Sequence, residues 1–145
     1  LRIERLIGFL VILSFVNVAC SDNAAERAAA QELAQRAIGK VSMKAQWERI
    51  EVTEAKRKDY TLRLIYRSPP SNSVEVVLDT QSIARAVLTE LVASGSNPSR
   101  DHASVWVWAQ RPVGGGETGA PLVQVYGHTE YNYNNDQLTF EPWKP

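Results

Sequence analysis

His128, Thr129 and Glu130 set an imidazole and a carboxylate two residues apart. On a strand that spacing puts both on one face, as a pair of metal ligands would require. Zinc normally takes three or four protein ligands, and His102 is the only other histidine. A solvent-facing His/Glu pair is therefore the expectation, with no metal. Asp101 and His102, between Ser99 and Ser104, supply the residue types of a nucleophile relay. A relay needs those groups to converge on an oxyanion hole, and neighbours within one turn do not, so a polar turn is expected. The run Gly114-Gly115-Gly116-Glu117-Thr118-Gly119 has the glycines of a phosphate loop without GK[ST]. It precedes a strand, so no helix N-terminus would face an anion. No catalytic residue and no cofactor is assigned, and enzymatic activity is not expected.

The stronger signal is aromatic. Trp106 and Trp108 alternate with Val105 and Val107 in residues 104–110. Residues 122–133 alternate as well, with Val123, Val125, Thr129 and Tyr131 against Gln124, Tyr126, His128 and Glu130. Residues 46–54 and 60–67 read as two strands around a charged turn, Lys56 to Asp59. If the valines, Ile50, Leu62, Leu64 and Tyr66 face a core, parity sends Arg49, Arg63, Arg67, Trp106, Trp108, Tyr126, His128 and Glu130 to the other side. One face of an antiparallel sheet tolerates water, yet it rarely needs paired tryptophans. Cation–π and cross-strand stiffening is the bland account. A recognition surface built from Trp106, Trp108, Tyr126, His128, Arg63 and Arg67 is the functional one. A third option folds the segment through Trp143 back over the rings.

The elements that would position this face are legible in outline. Ala30, Leu33, Ala34, Ala37, Ile38 and Val41 recur at helical spacing, predicting a helix over 24–38 with Asn23 and Glu26 as a capping box and Gly39 as its stop. Residues 74–78 read either as a short strand or as an approach to the next helix, the β-branched content weakly favouring the strand. Asp79 or Thr80 then caps a second helix, whose stripe of Ile83, Ala84, Val87, Leu88, Leu91 and Val92 should lie on the sheet until Gly95. Residues 111–121 read as a long loop, and 138–140 as a short last strand. The order α-β-β-α-β-β gives an α+β domain: a mainly antiparallel sheet of four to five strands with two helices packed on one face.

Residues 6–16 form an apolar stretch behind Arg2 and Arg5, and residues 17–20 read Asn17-Val18-Ala19-Cys20. The stretch suits a signal-peptide core and is too short to span a bilayer. This segment resembles the lipobox of bacterial lipoproteins, with Asn17 where the family usually has leucine. The resemblance implies that Cys20 is diacylated and becomes the new N-terminus. Ser21, where aspartate would favour inner-membrane retention, implies outer-membrane sorting. The expected organisation is a signal peptide over 1–19, a lipidated tether and first helix over 20–45, and one α+β domain over 46–145.

Cys20 is the only cysteine, so no internal disulfide forms and packing must carry stability. Lys+Arg and Asp+Glu both number 16, and a neutral chain argues against nucleic acid as a partner. The expected function is that of a non-enzymatic envelope lipoprotein. It would be held to the membrane through its lipid and bind an envelope protein, peptidoglycan or another glycan through the aromatic face. The alternative is a small inhibitor or immunity-type protein acting through the exposed loop over 111–121; a hydrolase is a third class.

Overall fold

A computed structural model describes the backbone of residues 16–145 and the side chains from residue 23 onward. The chain runs α1 (Val16–Gly39), β1 (Trp47–Lys56), β2 (Asp59–Tyr66), α2 (Ser73–Ala93), β3 (Ser104–Gly115), β4 (Pro121–Asn132) and β5 (Gln137–Pro142). It is an α+β fold with one five-stranded sheet in the order β1-β2-β3-β4-β5. Every pairing is antiparallel except β2 with β3, which α2 joins as a parallel crossover.

Both helices contribute to one core on one side of the sheet. From β2 come Tyr60, Leu62, Leu64 and Tyr66, from β3 Val105, Val107 and Ala109, and from β4 Tyr131. Against them lie Ala30, Leu33, Ala34 and Ala37 of α1 and Val76, Ile83, Ala84, Val87 and Leu91 of α2. Alanines on the inner side of α1 let its backbone come close. The larger α2 side chains fill the space over β3 and β4, each contributing about 1.5–3 kcal/mol through burial. A buried pair of hydroxyls, Thr80 Oγ1 and Thr129 Oγ1 at 2.7 Å, ties α2 to β4.

Four expectations are corrected. The first helix already runs through the described residues from Val16, so Asn23 is interior to it and is not its cap; residues 16–38 contain no glycine or proline to start it later. The weak strand over 74–78 is the opening of α2. Asn72 Oδ1 accepts from Glu75 N at 2.9 Å, and Glu75 Oε2 accepts from Ser71 N at 2.7 Å. This reciprocal cap outweighs the β-branched residues Val74, Val76 and Val77. The early start carries Asp79 and Thr80 into the helix interior, both buried; of the expected core stripe, Leu88 is half-buried and Val92 60% exposed. The expected loop over 111–121 is a two-stranded ribbon, because β3 and β4 continue to Gly115 and from Pro121 around a tip closed by Gly116 N donating to Ala120 O at 2.8 Å.

The fourth correction changes which side chains share a face. The register of β3 on β4 slips between Ala109 and Gln110, the former paired with Gly127 and the latter with Val125. A bulge adds one residue and reverses parity beyond it. Val125 therefore lies on the wet side, Val123 is 45% exposed, and Tyr126 turns inward with its ring 5.6 Å from Tyr66, edge to face. Gly127 is what permits the bend: its φ is +149°, and a Cβ there would stand 2.5 Å from Glu141 O and 2.6 Å from the Phe140 ring.

Buried ionisable groups make stability depend on pH at both ends. Lys40 Nζ and Arg36 Nε donate to Glu90, whose carboxyl sits below the ordinary range, first because of the Lys40 hydrogen bond. Its contribution is present above the ordinary carboxylate pKa and is lost as pH falls through the lowered one. The Tyr131 phenol, which donates to Asp136 Oδ1 at 2.6 Å, is pushed up to about 12, chiefly by burial. Its contribution is full below the ordinary value of 10.0 and is lost as pH rises through about 12. Melting temperature against pH should show a plateau that breaks below the carboxylate range and again between those two alkaline values. A steady decline starting at neutral pH would contradict both assignments.

Candidate functional site

The side of the sheet away from the helices carries one continuous row across all five strands. Glu51 pairs with Arg63, Arg63 with Trp108, Trp108 with His128, and His128 with Glu141. The adjacent row runs from Glu54 through Thr61, Trp106 and Glu130 to Thr139. Trp106, Trp108 and His128 thus meet at the centre, with charged and hydroxyl side chains on both sides. Strand parity on β3 produces this placement, since its ladder is regular from Ser104 to Ala109.

The three rings form a tight cluster. His128 lies 4.3 Å from the Trp108 ring and 4.9 Å from the Trp106 ring, and the indoles are 6.4 Å apart and 14° from parallel. Both tryptophans are half-buried, while the His128 side chain is 12% exposed. Trp106 Nε1 donates to Ser104 Oγ at 3.0 Å. His128 Nε2 is buried without a hydrogen-bond partner, and the nearest carboxylate oxygen, Glu141 Oε2, stands 3.9 Å away. On the same face Ile65, paired with Gln110 of β3, is only 2% exposed yet outside the main core cluster. The face thus has a small apolar centre of its own.

Of the six binding residues read from sequence, four converge: Trp106, Trp108, His128 and Arg63. Tyr126 is contradicted, because the bulge turns it to the helix side, where its hydroxyl accepts from Arg111 Nε at 3.1 Å. Arg67 follows the end of β2, roughly 13 Å along the strand from Arg63 at ~3.3 Å per residue, and stands off the cluster. Among the described residues the one cation–π contact joins Lys44 to the Trp47 ring at 5.7 Å, so the cation–π part of the bland account finds no contact at Trp106 or Trp108. Nor does Trp143 cover the rings: β5 docks as an edge strand and leaves Trp143 52% exposed. Glu141 was missed because the last strand was read too short to reach it.

The other candidate chemistries have structural partners instead. Ser99 Oγ donates to Tyr133 O at 2.7 Å, and His102 stacks on the Tyr133 ring at 4.6 Å. Asp101 accepts from Asn97 N at 2.9 Å, which with neighbouring Arg100 lowers its carboxyl pKa. No serine–histidine–aspartate alignment results. His128 neighbours Glu141 across the strands, not Glu130 alone, and no group of three or more His, Cys, Asp or Glu side chains gathers among the described residues.

A second cluster went unread. Asp79 of α2 is buried, and Trp47 Nε1 donates to its Oδ2 at 2.9 Å and Tyr66 Oη at 2.8 Å, while Lys44 Nζ donates to Oδ1. Burial, then the hydrogen bond to Asp79, raises the Tyr66 phenol far above its ordinary value. With both oxygens engaged, this carboxylate clamps α2, β1 and β2 together.

No protein-family model, curated protein or solved structure matches the chain. No helix among the described residues is long and apolar enough to cross a membrane. The signal-peptide and lipobox readings fall on residues 1–20, of which 1–15 lie outside the described residues and 16–20 are described only as helical backbone.

Proposed function

We propose that this chain is a non-enzymatic lipoprotein of the bacterial envelope, acylated at Cys20, whose uncovered sheet face holds a protein partner. The observation that carries the binding half is the Trp106–Trp108–His128 cluster at the centre of a face that neither described helix covers. A buried aromatic centre with a charged rim is the usual layout of a protein-binding hot spot. Arg63, Glu51, Glu130 and Glu141 provide that rim. The rings stack on one another and on His128, which uses ring faces that a sugar would need, so a protein partner is favoured over peptidoglycan or another glycan.

The anchoring half rests on the lipobox resemblance at residues 17–20, with Ser21 favouring the outer membrane. Several acyl chains on one cysteine would hold the domain firmly, where a single chain would be marginal. Metabolic labelling with a palmitate analogue should tag the wild type and leave Cys20→Ser untagged; equal labelling would remove the lipoprotein reading. Crosslinking in intact envelopes should recover a defined partner with the wild type and lose it with Trp106→Ala/Trp108→Ala. Equal recovery by both would remove the proposed face.

One observation favours the inhibitor-type alternative. The β3–β4 ribbon carries Val113, Leu122 and Val123 at 41%, 51% and 45% exposure, a projecting apolar arm able to enter a cleft. Under that reading, the partner is lost on replacing these three residues and kept in the tryptophan variant.

A further inference from the structure

The two tryptophans stand in rows of different character. Trp108 has Arg63 beside it on β2, and its row ends in Glu51 and Glu141. Trp106 has Thr61 in the equivalent place, and its row holds Glu54, Glu130 and Thr139 with no basic residue. From β4, His128 stacks on the Trp106 ring at 4.9 Å. Toward β2 the neighbour is only the short Thr61 side chain, where the next row has the long Arg63. Among the described residues the Trp106 ring meets Trp108 and His128 and carries no cation. Its N–H is already given to Ser104, so what it still offers is a ring face.

Charge on the sheet face follows the same asymmetry. Arg49 is engaged by Glu48 and Glu51, each at 2.7 Å. Lys56 and Asp59 are cross-strand neighbours beside the β1–β2 turn and offset one another. Among the described residues Glu54, Glu130 and Glu141 then have no lysine or arginine partner, against Arg63 alone. The chain as a whole is neutral, so this negative excess is local. Glu130 is half-buried on the strand next to Trp106, ~5 Å across, and Glu54 lies two strands away on the other side, ~10 Å. These two carboxylates gain a close counter-ion only from outside the chain. A cation placed between them also meets the negative face of the indole, so ring and charges attract it together. Guanidinium suits the place better than ammonium: it is planar, weakly hydrated and stacks on aromatic faces while its N–H groups point outward to carboxylates.

We propose that the partner presents an arginine to this face, with its guanidinium laid on the β2 side of the Trp106 ring between Glu54 and Glu130. The proposal rests on the reading of the tryptophan face as a protein-binding surface and names the chemistry that the surface selects.

Two blocked peptides, Gly-Arg-Gly-Arg and Gly-Glu-Gly-Glu, serve as probes. Each is titrated into the full-length chain in a neutral detergent while the four indole N–H signals are followed by NMR, with Trp106→Phe and Trp108→Phe for assignment. The arginine peptide should shift the Trp106 signal saturably, bind ~10-fold more tightly than the glutamate peptide, and leave the Trp143 signal in place. Glu54→Gln/Glu130→Gln should weaken it several-fold, and added salt should do the same. Glu117→Gln, an exposed carboxylate removed from the ribbon tip, should leave binding unchanged. Equal binding of the two peptides, no shift at Trp106, or a loss in Glu117→Gln as large as in the paired variant overturns the proposal. The broader reading of the face is judged separately, by partner crosslinking in Trp106→Ala/Trp108→Ala.

Discussion

Asp79→Ala should lower the free energy of unfolding by roughly 2–5 kcal/mol. The size follows from what remains behind. Lys44, with 47% of its side chain exposed, swings into water at little cost. The Trp47 indole and the Tyr66 hydroxyl belong to residues 3% and 0% exposed and have no such exit. Two donors would stay buried without an acceptor, each costing ~1–3 kcal/mol. Asp79→Asn keeps one acceptor oxygen and should lose less than the alanine variant. Urea unfolding with an unchanged denaturant slope supplies both numbers. Losses below ~1 kcal/mol for Asp79→Ala would mean that the clamp does not hold α2 on the sheet.

That clamp was invisible in the sequence for an instructive reason. Asp79 stands just before a clean apolar stripe, where aspartate most often caps a helix, so the sequence predicts a cap at Asp79 or Thr80. The better cap was upstream, at Asn72 and Glu75, in the same spacing. Competing with it were three β-branched residues, whose strand preference is weak and readily overridden by context. A cap seven residues earlier adds nearly two turns of helix, and it converts a terminal carboxylate into a buried one.

The sheet face shows the same division. Period-two alternation was enough to place Trp106, Trp108 and His128 together, because β3 is regular through Ala109 and the slip in β4 comes before His128. Beyond the slip the alternation reading put Val123, Val125 and Tyr126 on the wrong sides. A bulge leaves no mark in hydrophobic periodicity; its only trace here is Gly127, at the one site with no room for a Cβ. The ribbon over 111–121 was hidden by Pro112 and three consecutive glycines, which read as breakers. A two-stranded extension tolerates them because it has no neighbours beyond the pair.

The central claim is that the tryptophan face exists for contact and not for core, and unfolding of Trp106→Ala/Trp108→Ala tests it most directly. Two fully buried tryptophans would cost roughly 6–10 kcal/mol together, at ~3–5 kcal/mol each. Half-buried rings on a face without a covering layer should cost about 1–3 kcal/mol in the double variant, mainly through lost stacking on His128. Denaturant unfolding of the folded double variant, beside the wild type, gives the difference. A loss in that lower range, with the partner no longer captured, is the predicted result. A loss of ~6 kcal/mol or more, or a chain that no longer folds, would show that the rings are core and would contradict the account.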